Sequence, residues 1–405
     1  MELRAGYKET DVGVIPADWV VAPLGDLFDI SAGGDFDPAV SSSFCDAVYP
    51  YPIFSNALTD AGLYGYTSSP IHRRGSVTVT ARGMIGSANL RDTAFTAIGR
   101  VIVMHPKSIH DGRYFATFVN EKINFAVEST GVPQLTAPQI SGYRTAVPPL
   151  PEQRAIATAL SDADALIASL DALIAKKRDL QQAAMQQLLT GKTRLPGFTG
   201  EWEVKRLGDH VRFLKNGTLS RAQLSDDGMV KYLHYGDIHS AAALWLKPQG
   251  TEMPTADPEL VKSLDRLEYG DVIYVDASED LDGVGKSIEI QCCDGVEVVA
   301  GLHTIAARFD KRVLADGFKA YLQFVPTFRD HLRSMAAGTK VLATNRKHIA
   351  GAEVAIPSTS EQTAIAEVLS DMDAELAALE AQAAKARALK QGMIQELLTG
   401  RIRLA

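Results

Sequence analysis

Cysteine is scarce in this sequence: three in 405 residues, Cys45 and the adjacent pair Cys292 and Cys293. Sequence neighbours rarely bridge each other, and no CxxC or paired Cys/His spacing occurs, so neither a disulfide framework nor a zinc module is expected. Long apolar runs are missing too. No run reaches the roughly 18 residues of a membrane span, and the opening MELRAGYKETDVGVIPADW carries acids where a secretory leader would be apolar. The expectation is a reduced, cytoplasmic protein with no membrane segment. Nor is there an excess of positive charge. The net charge is −8, and Lys+Arg against Asp+Glu runs 11 to 14 over residues 1–150, 6 to 5 over 151–194, 19 to 23 over 195–358 and 5 to 7 over 359–405. A field covering a whole domain is excluded, so contact with a polyanion has to use a local patch.

Catalytic motifs are also absent. HExxH and GxSxG do not occur. LFDISAGG has the outline of an S-adenosylmethionine glycine loop, but no NPPY-type segment follows, and Gly33-Gly34 reads as a turn. LLTGKT contains GKT, yet Gln186 stands where a phosphate-cradling loop needs its first glycine. Asp276, Glu279, Asp280 and Asp282 read as a solvated acidic loop rather than a metal clamp. His303, in VAGLHTIAARF, reads as a core histidine. No enzyme, and no cofactor held by this chain, is expected.

What the sequence does contain is a repeat. Residue i paired with i+209, from Glu152/Glu361 to Leu195/Leu404, gives 25 identities in 44 ungapped positions. Ile156, Leu160, Ala163, Ile167, Leu170 and Ile174 alternate in steps of four and three, and Ile365, Leu369, Met372, Leu376, Leu379 and Ala383 match them. This spacing predicts two helices with a coiled-coil seam. Pro151 suits a first helical turn, Ser358 and Glu361 suit a capping box, and Gly191 and Gly400 stand where left-handed caps belong. Weaker echoes lie between the helices. Trp19 with Leu24-Gly25-Asp26 matches Trp202 with Leu207-Gly208-Asp209. RGSVTVTARGMIGSANL (74–90) matches YGDVIYVDASEDLDGVGKSIEI (269–290), each reading strand, glycine loop, strand.

The predicted order is a domain at 1–150, a helix at 151–194, a domain at 195–358 and a helix at 359–405. The second helix pairs most simply antiparallel to the first, with the domains at opposite ends of a rod and an approximate two-fold axis across it. From Ile156 to Leu188 the seam spans about 48 Å. Duplex DNA separates half-sites one turn apart by about 34–36 Å, so a rod of this order suits two readers on one duplex. Two unlike domains predict two unlike half-sites.

The chain resembles, over essentially its whole length, the specificity subunits of type I restriction-modification systems. The matching stretches are YKETDVGVIPADW, LGDLFDISAGG, PPLPEQRAIATALSDAD, EQTAIAEVLSDMD and the two LLTG ends. The resemblance implies an α+β protein of two α/β target-recognition domains separated by a long antiparallel two-helix coiled coil. It also implies double-stranded DNA as ligand, two methyltransferase subunits that carry S-adenosylmethionine, and restriction/translocase subunits reached through the complex.

Arginine binds phosphates or guanine edges, and glycine-flanked loops admit close backbone approach. The candidate DNA contacts in the first domain are therefore Tyr64, Tyr66, Arg73, Arg74, Arg82 and Arg91. In the second they are Lys215, Arg221, His234, Tyr235, Lys286, Arg346 and Lys347. A solvated surface charge is the plain alternative for each. Candidate partner contacts, on exposed helix faces, are Glu152, Gln153, Leu188, Leu189, Glu361, Gln362, Leu397 and Leu398, with the alternative that the leucines only close the seam. A different class of function also fits the repeat: an adaptor that holds two interaction domains apart without binding DNA.

Overall fold

The computed structural model describes residues 5–404 except 126–133, 227, 242, 292, 294, 337, 339 and 340. Cys292 lies outside the described residues. The chain divides into two compact units, Met1–Ala172 with Ala381–Ala405, and Leu173–Glu380. The helices expected over 151–194 and 359–405 are Leu150–Leu188 and Thr359–Leu397, and the division between units falls within both. Among the described residues no helix is long and apolar enough to cross a membrane.

In the first unit the sheet Phe28–Ala32, Val101–Pro106, Ser76–Thr80, Ala88–Arg91 is antiparallel throughout. Its strand SVTVT is buried at every position, as suits β-branched side chains between two packed faces. Tyr51–Phe54 pairs parallel with Thr96–Ala97 and antiparallel with Leu63–Thr67. Val20–Pro23 pairs with Arg144–Val147. The second unit repeats this plan. Val211–Phe213, Thr304–Phe309, Val272–Val275 and Ser287–Ile290 form the matching antiparallel order, with Trp245–Leu246 added in parallel at the far edge. Val230–Leu233 pairs parallel with Val298–Ala300 and antiparallel with Thr255–Ala256, and Glu203–Arg206 pairs with Glu353–Ile356. The strand–loop–strand echo in the sequence is thus one hairpin used twice.

Each unit holds an antiparallel stretch of the two long helices. In the first, Asp164 meets Lys390 at 2.6 Å and Asp171 pairs with Arg387. Ile156 and Leu160 are buried there with Ile394, Leu397 and Leu398 against Trp19. In the second, Lys177 meets Glu375 at 2.6 Å, and Leu188, Leu189, Ile365 and Leu369 join one core with Leu207 and Phe328. The expected seam is the buried stripe.

The caps follow the sequence with one exception. Gly191 and Gly400 have φ of +68° and +67°, and each sits on a tryptophan: an added Cβ would lie 3.2 Å from Trp202 and 3.1 Å from Trp19. Ser358 Oγ accepts from Glu361 N at 3.4 Å. The capping box does not close, because the Glu361 carboxylate turns instead to Arg194.

Candidate nucleic-acid interface

The eight residues expected on exposed helix faces are buried. Glu152 and Gln153 are 5% and 2% exposed, Glu361 and Gln362 1% and 0%, and Leu188, Leu189, Leu397 and Leu398 lie in the cores. Their polar atoms are used inside each unit. Glu152 accepts from Trp19 Nε1 at 3.0 Å and from Arg403, which also grips Asp18 at 2.7 Å. Gln153 accepts from Asp111 N and donates to Pro148 O. In the second unit Arg194 grips Glu361, and Gln362 accepts from Ala315 N at 2.8 Å and donates to Val313 O and Pro357 O. The repeated Glu-Gln pair fastens each helix start to its own domain. Buried polar groups require such partners, and this requirement explains the identity of the two copies.

Arg91 is also removed from the candidate surface. It is 6% exposed, lies 3.5 Å from the Phe54 ring centroid, and donates to Thr78 Oγ1 and Ala61 O. Burial pushes its pKa down to about 10. The other candidates of the first domain stay accessible. Tyr64 is 58% exposed with its ring edge-on to Phe36, Tyr66 is half-buried, and Arg73 is exposed, donating to Pro106 O at 2.8 Å. Arg82 lines an open cavity of about 320 Å³. Arg74 shares a groove of about 300 Å³ with Arg113 and Arg154, two residues that sequence reasoning did not single out. Arg113 stands in the first turn of the helix Gly112–Lys122, where it meets Asp92 at 3.7 Å, and Arg154 follows the first turn of the long helix, so three elements bring three arginines to a groove that Asp92 and Asp111 also line. Nothing in linear spacing signals that convergence.

In the second domain, Tyr235 and Lys286 meet His239 and His303 in an open cleft of about 810 Å³. His234 is 8% exposed and caps the helix Tyr235–Ser240, accepting from Gly236 N and donating its own N–H to Asp237. Burial lowers its pKa, which holds it toward the neutral, accepting state. His303 is not the core histidine expected from its apolar surroundings in sequence. Its side chain is 51% exposed, and its Nδ1 lies 3.1 Å from Asp276 Oδ1. Lys286 spends hydrogen bonds on His239 O and Ala241 O. Glu279, Asp280 and Asp282 line the same cleft, and Asp282 pairs with Arg329 and Arg333. Among the described residues no group of three or more His, Cys, Asp or Glu is placed to hold a metal ion. Arg221 pairs with Asp237 at 2.8 Å, Lys215 reaches Ser263, Arg346 donates to Leu214 O and Asn216, and Lys347 is exposed. The structure therefore brings Tyr235 and Lys286 together and leaves Lys215, Arg221, Arg346 and Lys347 as outlying surface cations.

Residues 16–176 match the family model for the type I restriction modification DNA specificity domain. The specificity subunit of type I restriction enzyme MjaVIII from Methanocaldococcus jannaschii is 22% identical over 98% of this chain and 96% of its own. Among solved structures, the type I restriction-modification S subunit of M. genitalium superposes with a TM-score of 0.63 at 14% identity, covering 98% of each chain. A chain from a structure addressing complex assembly and conformational transition of the type I R-M system gives a TM-score of 0.50 at 14% identity, over 96% of this chain and 99% of that one. Residues 16–176 thus carry a type I restriction modification DNA specificity domain, and over nearly its whole length the chain is similar to type I restriction-modification specificity subunits.

Proposed function

We propose that this chain recognises an asymmetric bipartite DNA target and docks methyltransferase subunits there. Each domain reads one half-site, and the paired helices set the spacing. The observation that carries the reading is one sheet order used twice beneath unlike surfaces. The first domain offers the Arg74, Arg113 and Arg154 patch, and the second offers the cleft with Tyr235, His303 and Lys286. One scaffold with two chemistries suits two unlike sequences. In the first domain the three arginines also supply a local concentration of positive charge that the net charge of −8 does not, whereas the cleft of the second domain offers hydrogen-bonding groups among carboxylates. For docking, Leu173 and Leu180 lie one heptad apart on the first long helix and are 40% and 49% exposed, an apolar stripe fit for a partner helix. S-adenosylmethionine belongs to the partner in this reading, as do the restriction subunits that reach the DNA through the complex.

Binding of the purified complex to duplex DNA is expected to weaken steeply with salt. Replacing Arg74, Arg113 and Arg154 by alanine should weaken it alike for all sequences, and lower the slope of log affinity against log salt by about one for each phosphate that is no longer neutralised. Inserting about four residues, one helical turn, into each long helix should lengthen the target's spacer and leave both half-sites as they were. An adaptor that does not touch DNA predicts no salt-dependent duplex affinity, and unchanged spacing after the insertion rules out the helices as a ruler.

A further inference from the structure

Four non-glycine residues among those described have positive φ, and two of them occupy one place in the repeated fold. Arg100 (φ +76°) immediately precedes the strand Val101–Pro106, and His303 (φ +57°) immediately precedes the matching strand Thr304–Phe309. Their hydrogen bonding matches as well. Ala81 N donates to Arg100 O at 2.9 Å while Leu135 N donates to Ala81 O at 2.8 Å. Asp276 N donates to His303 O at 3.2 Å while Thr344 N donates to Asp276 O at 2.8 Å. Each residue lines its domain's open cavity, Arg100 beside Arg82 and His303 beside Tyr235.

A left-handed backbone is costly for an L side chain, and glycine removes the cost. This chain places glycine at positive φ repeatedly, among them Gly75, Gly83 and Gly86 in the first domain and Gly285 in the second. At the two equivalent positions it places long polar side chains instead. Packing does not account for them, since both are exposed. Among the described residues the Arg100 guanidinium has no hydrogen bond or ion pair. His303 has its ring fixed from behind: a carboxylate only accepts, so Nδ1–H donates to Asp276 and Nε2 is left for a ligand. Retained strain that positions an exposed polar group in a cleft marks a working residue.

We propose that Arg100 and His303 are the equivalent base-reading residues of the two domains; this rests on the DNA-recognition reading above. The guanidinium of Arg100 takes guanine O6 and N7 in one half-site. His303, its Nδ1–H held by Asp276, turns Nε2 as acceptor to the exocyclic amino group of cytosine or adenine in the other.

Glycine is the informative substitution because it keeps the backbone conformation and relieves its strain, so Arg100→Gly and His303→Gly should melt no lower than the parent chain. Each variant, assembled with its methyltransferase subunits, is incubated with a duplex library randomised at every base pair, and the bound fraction is sequenced. R100G should lose about tenfold or more of the preference for guanine at one base pair of one half-site, with the other half-site intact. H303G should do the same for an amino-bearing base in the second half-site only. Unchanged base preferences overturn the proposal. So does a loss shared equally by all sequences, which marks binding to phosphate. A parent complex with no sequence preference would instead remove the DNA-recognition reading itself.

Discussion

Glu289 is 1% exposed and held by Gly317 N at 2.7 Å and Ala320 N at 2.8 Å, with Lys319 Nζ 3.7 Å away. Burial outweighs the lysine and the two donors and pushes its carboxyl pKa from 4.5 up to about 7. The folded chain therefore keeps a proton that the unfolded chain releases. Folding stability contributed by this group is present below about pH 4.5 and is lost as pH rises toward 7. Relative to Glu289→Gln, the parent chain should lose up to about 1.4 kcal/mol per pH unit across that window. Urea unfolding of both proteins at a series of pH values checks this, and parallel profiles would refute it. His72 and His105 work in the opposite sense. His72 Nδ1 lies 3.2 Å from His105 Nε2, and burial lowers both pKa values from 6.5. The first unit should lose stability as pH falls below about 6.5, because the unfolded histidines then bind protons the folded ones resist. Replacing His72 and His105 together by glutamine should flatten that acid limb in the same unfolding series.

Among the elements, the two C-terminal helix caps give an internal comparison. At Gly191 a methyl group meets the Trp202 ring at 3.2 Å, an approach the ring can yield to, so G191A should cost about 1–2 kcal/mol through its left-handed φ. At Gly400 the methyl group would clash with Cγ and Cδ of Pro16, with φ equally left-handed, so G400A should cost about 2–4 kcal/mol. Thermal melting of the two variants orders them, and equal losses would mean that Pro16 gives way. These caps, the helices and their seam were legible in the sequence because periodicity and glycine placement are local signals. The duplicated hairpin was legible for the same reason. The roles of Glu152 and Glu361 were not: a charged residue in a first helical turn reads as solvated, and only the return of Arg403 and Arg194 to the same spots shows otherwise. Arg91 misled in the same way, since nothing in its neighbours announces that Phe54 stacks on it. Arg100 and His303 carry no sequence signal, because the sign of φ is set by distant backbone partners.

On the scale of the whole molecule, both units close by one device. The segment after each LLTG packs under a domain's first tryptophan: Arg194 with Trp202 and Glu361 in one unit, Arg403 with Trp19 and Glu152 in the other. Tyr7 Oη donates to Gly400 O at 2.8 Å, so residues near the two ends of the sequence are neighbours. Joining residue 404 to residue 5 by a short linker and opening the chain within 196–200 should give a protein that folds and retains the parent's DNA selection. Circular dichroism and sequencing of selected duplexes test this; loss of folding would show that the 196–200 connection is needed for more than continuity.

The first unit needs Ala381–Ala405, and the second is one uninterrupted stretch, Leu173–Glu380. A ribosome therefore finishes the second unit while the first still lacks the strand of chain that covers Ile156 and Leu160. Until residues 381–405 emerge, the nascent product exposes that sticky furrow to chaperones and proteases. A stop codon shortly after Glu380 would leave it open permanently, marking the truncated product for removal even though every residue of the first domain had been made.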